Sequence, residues 1–181
     1  MSAFEFVFPL FALLVGLSMA EMLTGLANAL KSKREVRVGW LTPLLGTLIL
    51  INLVMFWQGS WQIRDAITPA SSTLLLVLVV GGTYYLAASM VFPLSGAKVR
   101  DLDHHFMEHR RIPLLAIAAC NLIYFIRVAM ITNQQIGPLW WAANMLFLAL
   151  LLLAALAPDR RVIIATLAFL VVAHGILLFV V

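Results

Sequence analysis

Six long apolar stretches constrain this chain more than any other feature. Each has about 20 residues or more, which an α-helix needs to cross a ~30 Å hydrocarbon core at ~1.5 Å per residue. They cover residues 4–30, 40–63, 70–94, 112–131, 138–157 and 162–181. Of the 181 residues, 64% are hydrophobic and 11% are charged, whereas soluble domains have about 45–50% and about 25%. The composition therefore excludes a soluble globular domain.

The apolar stretches are predicted to be helices and not the strands of a membrane barrel. Residues 146–156 consist only of Leu, Ala and Phe, whereas a barrel strand alternates apolar and polar residues. In lipid the backbone must satisfy its own hydrogen bonds, which a helix does within one segment. We therefore predict an all-α integral membrane protein, with residues 1–181 forming one domain that is a bundle of six transmembrane helices.

The basic residues predict which side of the membrane each connection faces. Four Lys or Arg lie in the first connection, four in the third and two in the fifth, out of 12 in the chain. Cytoplasmic loops carry such an excess, so we expect these connections in the cytoplasm and both termini outside it. Trp57, Trp61, Trp140 and Trp141 would then lie at the outer interface. The basic loops are expected to contact anionic lipid head groups, and no nucleic acid partner is expected.

Polar side chains inside the predicted spans are site candidates, because they are costly in lipid and usually face the bundle interior. Glu21 and Asn28 share one face of the first span, in its cytoplasmic half. Tyr84 and Tyr85 lie at a comparable depth on the third span. We predict an inner polar site of these four residues, with a tyrosine hydroxyl as the hydrogen-bond partner of Glu21.

A second polar group lies nearer the outer face on four spans, which suggests a cavity open to the outside. Arg127 is expected to extend toward the interface or to pair with Asp65. The alternative is that these polar groups only hold the helices together by hydrogen bonds. The predicted outer vestibule consists of Asn52, Gln58, Tyr124, Arg127, Asn144 and His174.

The third connection carries the densest run of chemically active side chains, residues 101–111. Its spacing predicts a short interfacial helix on the cytoplasmic surface, ending or kinking before Pro113. His105 and His109 are four residues apart, so both rings could reach one metal ion. A third ligand would have to come from Glu35 or Asp159. The alternative is a surface helix without metal, and no other cofactor is expected.

The sequence contains no nucleophile elbow, phosphate loop or His-Glu-x-x-His motif, so an enzyme is not favoured. The leading hypothesis is a membrane protein that binds or moves a small solute or ion. Six short helices leave little room for a path, so a homo-oligomer is expected. One alternative is a structural or accessory membrane subunit without transport activity. Another is a metal-dependent membrane enzyme that uses His105 and His109.

Four motifs carry a resemblance to a known family. They are residues 21–26 (EMLTGL), the basic segment before Trp40, the pattern Trp57-x-x-x-Trp61-x-x-Arg64-Asp65, and residues 108–111 (EHRR). With these motifs the chain resembles a family of small bacterial six-span inner-membrane proteins. The resemblance implies a multi-pass protein of a bacterial inner membrane, and it transfers no activity and no functional residue.

Overall fold

The computed structural model describes residues 2–31, 36–93, 100–131 and 137–180. Within these ranges the chain forms seven α-helices and one 3-10 turn, Arg64–Ala66. The helices are α1 (Ala3–Lys31), α2 (Leu41–Gln62), α3 (Ser71–Ser89), α4 (Leu102–His109), α5 (Arg111–Ile131), α6 (Pro138–Leu156) and α7 (Arg160–Val180).

All of these helices except α4 are long and apolar enough to cross a membrane. The prediction of an all-α membrane protein with six such helices is therefore confirmed. Most predicted boundaries agree with the observed ones within two residues, but α3 ends at Ser89 and not at residue 94. Proline has no N–H and disfavours helix in the preceding residue, so Pro93 explains why the chain leaves the helix here.

The six long helices pack in the circular order α1, α2, α7, α6, α5, α3, and α3 packs against α1 again. Each helix turns one apolar face inward, where Leu45, Leu48, Leu114, Leu151 and Leu167 are fully buried. The short helix α4 packs on α2 and α5. The predicted break before Pro113 is also confirmed, because α4 ends at His109 and α5 begins at Arg111.

The ring has two ends that differ in charge. At the α4 end, α2, α5 and α7 begin; at the terminal end, α1 begins and α7 ends. The described basic residues of the α4 end are Lys31, Arg37, Arg100, Arg110, Arg111, Arg160 and Arg161, whereas Arg64 and Arg127 belong to the terminal end. The first and third connections meet at the α4 end, where the Arg37 N–H donates to the Arg100 carbonyl at 2.9 Å.

The Asp103 carboxylate joins three helices at the α4 end. Its side chain is only 2% exposed. One oxygen accepts a hydrogen bond from the backbone N–H of Leu41, the first residue of α2, at 3.0 Å. The other oxygen pairs with the guanidinium of Arg160, the first residue of α7. Because a helix N-terminus favours a negative charge, this carboxylate holds α4 against both α2 and α7.

Two further contacts hold α4 in this position. Arg110, only 8% exposed, donates a hydrogen bond to the Ala157 carbonyl, directly after α6, at 2.9 Å. Burial lowers the pKa of the Arg110 guanidinium, which nevertheless stays charged at neutral pH. A Cβ atom at Gly39 would overlap the Asp103 carboxylate. Only a glycine therefore allows the chain before α2 to approach Asp103 this closely.

Replacing Asp103 by Ala is expected to destabilise the fold by about 1.5–3 kcal/mol, because a buried hydrogen bond to a charged group is lost. Most of this loss is expected from the Leu41 N–H, which is left buried without a partner. The Arg160 side chain is about half exposed, so water can solvate its guanidinium instead. Asp101 provides a control, because it only caps α4 by accepting from the Asp103 and His104 N–H groups. Asp101→Ala should cost about 1 kcal/mol.

The free energy of unfolding of both variants can be measured in detergent micelles. The double variant Asp103→Ala/Arg160→Ala should lose less than the sum of the two single losses, because the residues share one contact. Equal losses of stability for Asp101→Ala and Asp103→Ala would contradict the conclusion that Asp103 holds α4 against α2 and α7.

Candidate functional site

Helices α2, α5, α6 and α7 line a partly open cavity of about 490 Å³ in the half of the ring toward the terminal end. Five of the six residues predicted for the outer vestibule line this cavity: Asn52, Gln58, Tyr124, Asn144 and His174. Asn121 lines it as well. The structure thus brings polar side chains of four helices together, and we call this space the amide cavity. That the cavity acts as a binding site remains a prediction.

Four of the polar lining side chains bind back to the carbonyl four residues earlier on their own helix. The contacts join Asn52 Nδ2 to Leu48 O at 3.1 Å, Asn121 Nδ2 to Ile117 O at 2.9 Å, Asn144 Nδ2 to Trp140 O at 2.7 Å, and His174 Nδ1 to Leu170 O at 3.0 Å. A carbonyl oxygen can only accept, so each facing atom must be an N–H donor. This fixes the orientation of the three amides and places a proton on His174 Nδ1.

The back-bonding leaves hydrogen-bond acceptors on the cavity wall, beside the second N–H that Asn52 and Asn144 each keep. Each of the three asparagines keeps its side-chain oxygen, and a neutral His174 keeps Nε2 as an acceptor. In the part of the chain that the structure describes, no donor bonds to these four atoms. A ligand with N–H or O–H groups would therefore find partners here.

The rest of the amide cavity wall is largely aromatic and aliphatic. Phe125, Trp140, Phe147 and Phe169 contribute rings, and the Phe147 and His174 ring centroids are 4.5 Å apart. The lining residues that the structure describes include no Lys, Arg, Asp or Glu. The wall therefore suits an uncharged molecule with an apolar or ring-shaped body.

Fully buried apolar side chains separate the amide cavity from the α4 end. Leu48 precedes Asn52 on α2, Ile117 precedes Asn121 on α5, and Leu167 precedes the cavity residues on α7. The relative exposure of all three side chains is 0%. The cavity thus ends about halfway along the axis of the bundle, at the packed apolar layer of Leu48, Ile117 and Leu167, which we call the dry layer.

Tyr84 bonds to Asn121, which lines the amide cavity, and does not bind Glu21. Its hydroxyl accepts a hydrogen bond from Asn121 Nδ2 at 2.8 Å, and its ring meets the Phe56 ring edge-on with centroids 5.1 Å apart. Asn121 thereby joins α5 to α3, a role that depth along the helices alone could not reveal.

The other residues of the predicted inner site are not gathered around Tyr84. Glu21 is half-buried, whereas Asn28 and Tyr85 are exposed. Among the described residues, Glu21 forms no hydrogen bond and no ion pair. The structure therefore does not assemble these four residues into one site.

Arg127, the sixth residue predicted for the vestibule, lies on a different cavity between α1, α2, α3 and α5. The alternative pairing with Asp65 does not occur. Asp65 instead pairs with Arg64 at 3.6 Å, and the Arg64 guanidinium lies 4.5 Å from the centroid of the Trp61 ring.

His105 and His109 stack on one face of α4 with ring centroids 4.5 Å apart. Burial lowers the pKa of His105, and neighbouring His109 lowers it further, so His105 is neutral at pH 7, the form that binds metals. Within the described ranges, no group of three or more His, Cys, Asp or Glu residues is placed to hold a metal ion. Asp159 accepts from the Arg161 N–H at 2.8 Å, and Glu35 lies outside the described residues. The metal pair remains a prediction.

No family model, no curated protein and no solved structure matches this chain.

The Asn121–Tyr84 hydrogen bond is expected to stabilise the bundle measurably. Hydrogen bonds between membrane helices average about 0.6 kcal/mol and reach about 1.7 kcal/mol in double-mutant cycles. A cycle of Tyr84→Phe and Asn121→Leu, read out by unfolding in micelles, should give a coupling energy in this range. Tyr85→Phe on the exposed face of α3 is the control and should change stability by less than about 0.5 kcal/mol. A coupling energy of zero would contradict the contact.

Proposed function

We propose that this protein binds a small uncharged molecule with hydrogen-bond donors in the amide cavity. The observation that carries the proposal is the convergence of Asn52, Asn121, Asn144 and His174 from four helices on one space. If these groups only held the helices together, their bonds would run between helices. Each one bonds within its own helix, and only Asn121 also reaches another helix among the described residues.

The size and lining of the cavity narrow the class of ligand. Its volume of about 490 Å³ falls within the range of about 300–1,000 Å³ of small-molecule sites. Aromatic side chains favour a ring or an apolar body, and amide oxygens favour N–H or O–H groups on its edge. A charged ligand is disfavoured, since no lining side chain that the structure describes carries a formal charge.

The dry layer of Leu48, Ile117 and Leu167 supports binding over conduction through an open pore. Water and polar solutes do not cross a fully packed apolar layer without a rearrangement. Movement of the ligand across the membrane would require this layer to separate in a second conformation.

We also propose that the protein spans a bacterial inner membrane with both termini outside the cytoplasm and α4 on the cytoplasmic surface. The excess of basic residues at the α4 end supports this orientation. Trp57, Trp61, Trp140 and Trp141 at the opposite end support it as an aromatic belt. The ligand then enters the amide cavity from outside the cytoplasm.

The proposal is tested with pairs of ring-containing fragments, each pair being an N–H or O–H compound and its methylated analogue. Binding is measured by ligand-observed NMR on the protein in nanodiscs, with empty nanodiscs as the blank. The donor-bearing member should bind about five- to tenfold more tightly, because it gains one hydrogen bond of about 1 kcal/mol.

Two matched variants test whether the preference for the donor-bearing fragment arises in the amide cavity. Asn144→Leu removes one acceptor at the cavity and should reduce the preference for the donor-bearing fragment. Asn28→Leu makes the same change on the exposed face of α1 and should leave the preference intact. Binding without any preference, or an equal effect of both variants, would contradict the proposal.

A further inference from the structure

A second cavity, of about 140 Å³, lies between α1, α2, α3 and α5 at the terminal end. Its wall is predominantly apolar, with Phe8 from α1, Val77 and Val80 from α3, and Ile123 from α5. Phe56 and Tyr124 line both this space and the amide cavity, so they stand between the two. We call this second space the Arg127 cavity, because Arg127 is the charged residue that lines it.

Arg127 has no counter-charge within the described chain. Seven of the eight Asp and Glu residues of the sequence are described, and none of the seven forms an ion pair with Arg127. Asp65 at the same end is taken by Arg64. Glu35, the eighth, lies outside the described residues, in the connection from α1 to α2.

The Arg127 side chain is exposed, and an arginine near the end of a membrane helix extends its guanidinium toward the head-group layer. Arg127 lies four residues before the last residue of α5, about 6 Å along the axis, which is the depth at which phospholipid head groups begin. Its planar fork of N–H groups matches the oxygens of a phosphate and can bind them in a bidentate manner.

The apolar wall of the Arg127 cavity suits the apolar part of an amphipathic ligand, whose anionic part would bind Arg127. A cavity of about 150 Å³ lined by Leu, Ile and Phe takes up a benzene molecule. The Arg127 cavity is of this size, so it can take up part of one acyl chain. One molecule then satisfies both the unpaired charge and the apolar space.

We propose that the Arg127 cavity binds an anionic phospholipid, with the phosphate on Arg127 and part of an acyl chain against Val77, Val80 and Ile123. This site is separate from the amide cavity and does not depend on a ligand there. A phospholipid is the favoured occupant because the cavity opens among membrane helices at head-group depth, where this anion is abundant.

The charge is tested by native mass spectrometry of the full chain in detergent, titrated with phosphatidylglycerol and with phosphatidylcholine of identical acyl chains. The wild-type protein should retain phosphatidylglycerol about tenfold better, as expected for a charge-assisted bond. Arg127→Gln should abolish this preference, and Arg127→Lys should retain part of it. Arg64→Gln, at the same end but outside this cavity, is the control and should leave the preference unchanged.

The apolar wall is tested by two neighbouring substitutions on α3. Val77→Phe fills the cavity and should lower the retention of phosphatidylglycerol about tenfold. Val79→Phe adds the same ring on the exposed face and should have no effect. If Val77→Phe does not fold, as judged by circular dichroism, Val77→Met fills less of the space and should give a smaller loss.

Three results would overturn the proposal. The first is equal retention of both lipids by the wild-type protein. The second is an equal effect of the cavity variants and their controls, which would mean unspecific annular lipid. The third is displacement of phosphatidylglycerol by an equimolar amount of oleate, which would identify a fatty acid as the occupant.

Discussion

Lipid offers no water to a polar group, so an amide on a membrane helix requires a hydrogen-bond partner in the protein or in a cavity that water reaches. Three asparagines and one histidine of the amide cavity meet this requirement by bonding to the carbonyl four residues earlier. In each asparagine the bond uses one of the two N–H groups and leaves the side-chain oxygen as an acceptor, and in a neutral His174 it leaves Nε2. The same interaction that makes these side chains tolerable in a membrane helix therefore also leaves acceptor atoms that a donor-bearing ligand can bind.

Charged groups follow a different pattern at each end of the ring. At the α4 end, Asp103 is buried and meets both Arg160 and the N-terminus of α2, so its charge is balanced within the chain and fixes the helices. At the terminal end, Arg127 has no described counter-charge and lines an apolar cavity. The first arrangement stabilises the protein by itself, whereas the second is completed by a molecule from outside.

The sequence predicts the helices well, because the length and composition of an apolar stretch are local properties. It also predicts five members of the amide cavity, since depth along each span follows from counting residues. Asn121 belongs to the same outer polar group by its depth, because it lies three residues before Tyr124 on the same helix face. Tyr84 and Glu21 could not be assigned, because depth does not tell which neighbouring helix a side chain meets. The role of Asp103 depends on Arg160, 57 residues away, and on the close approach of Gly39, which no local pattern reveals.

The most direct test of the central claim is whether water reaches the amide cavity from the side of the termini. Cys120 is only 1% exposed, so the wild-type chain should give little background with a membrane-impermeant maleimide added to intact cells. Ala173→Cys lines the cavity and should be labelled. Ala149→Cys lies on the exposed, lipid-facing side of α6 and should not react, because a thiol in lipid does not ionise. Equal labelling of the two variants, or no labelling of Ala173→Cys, would contradict a water-accessible cavity that opens outside the cytoplasm.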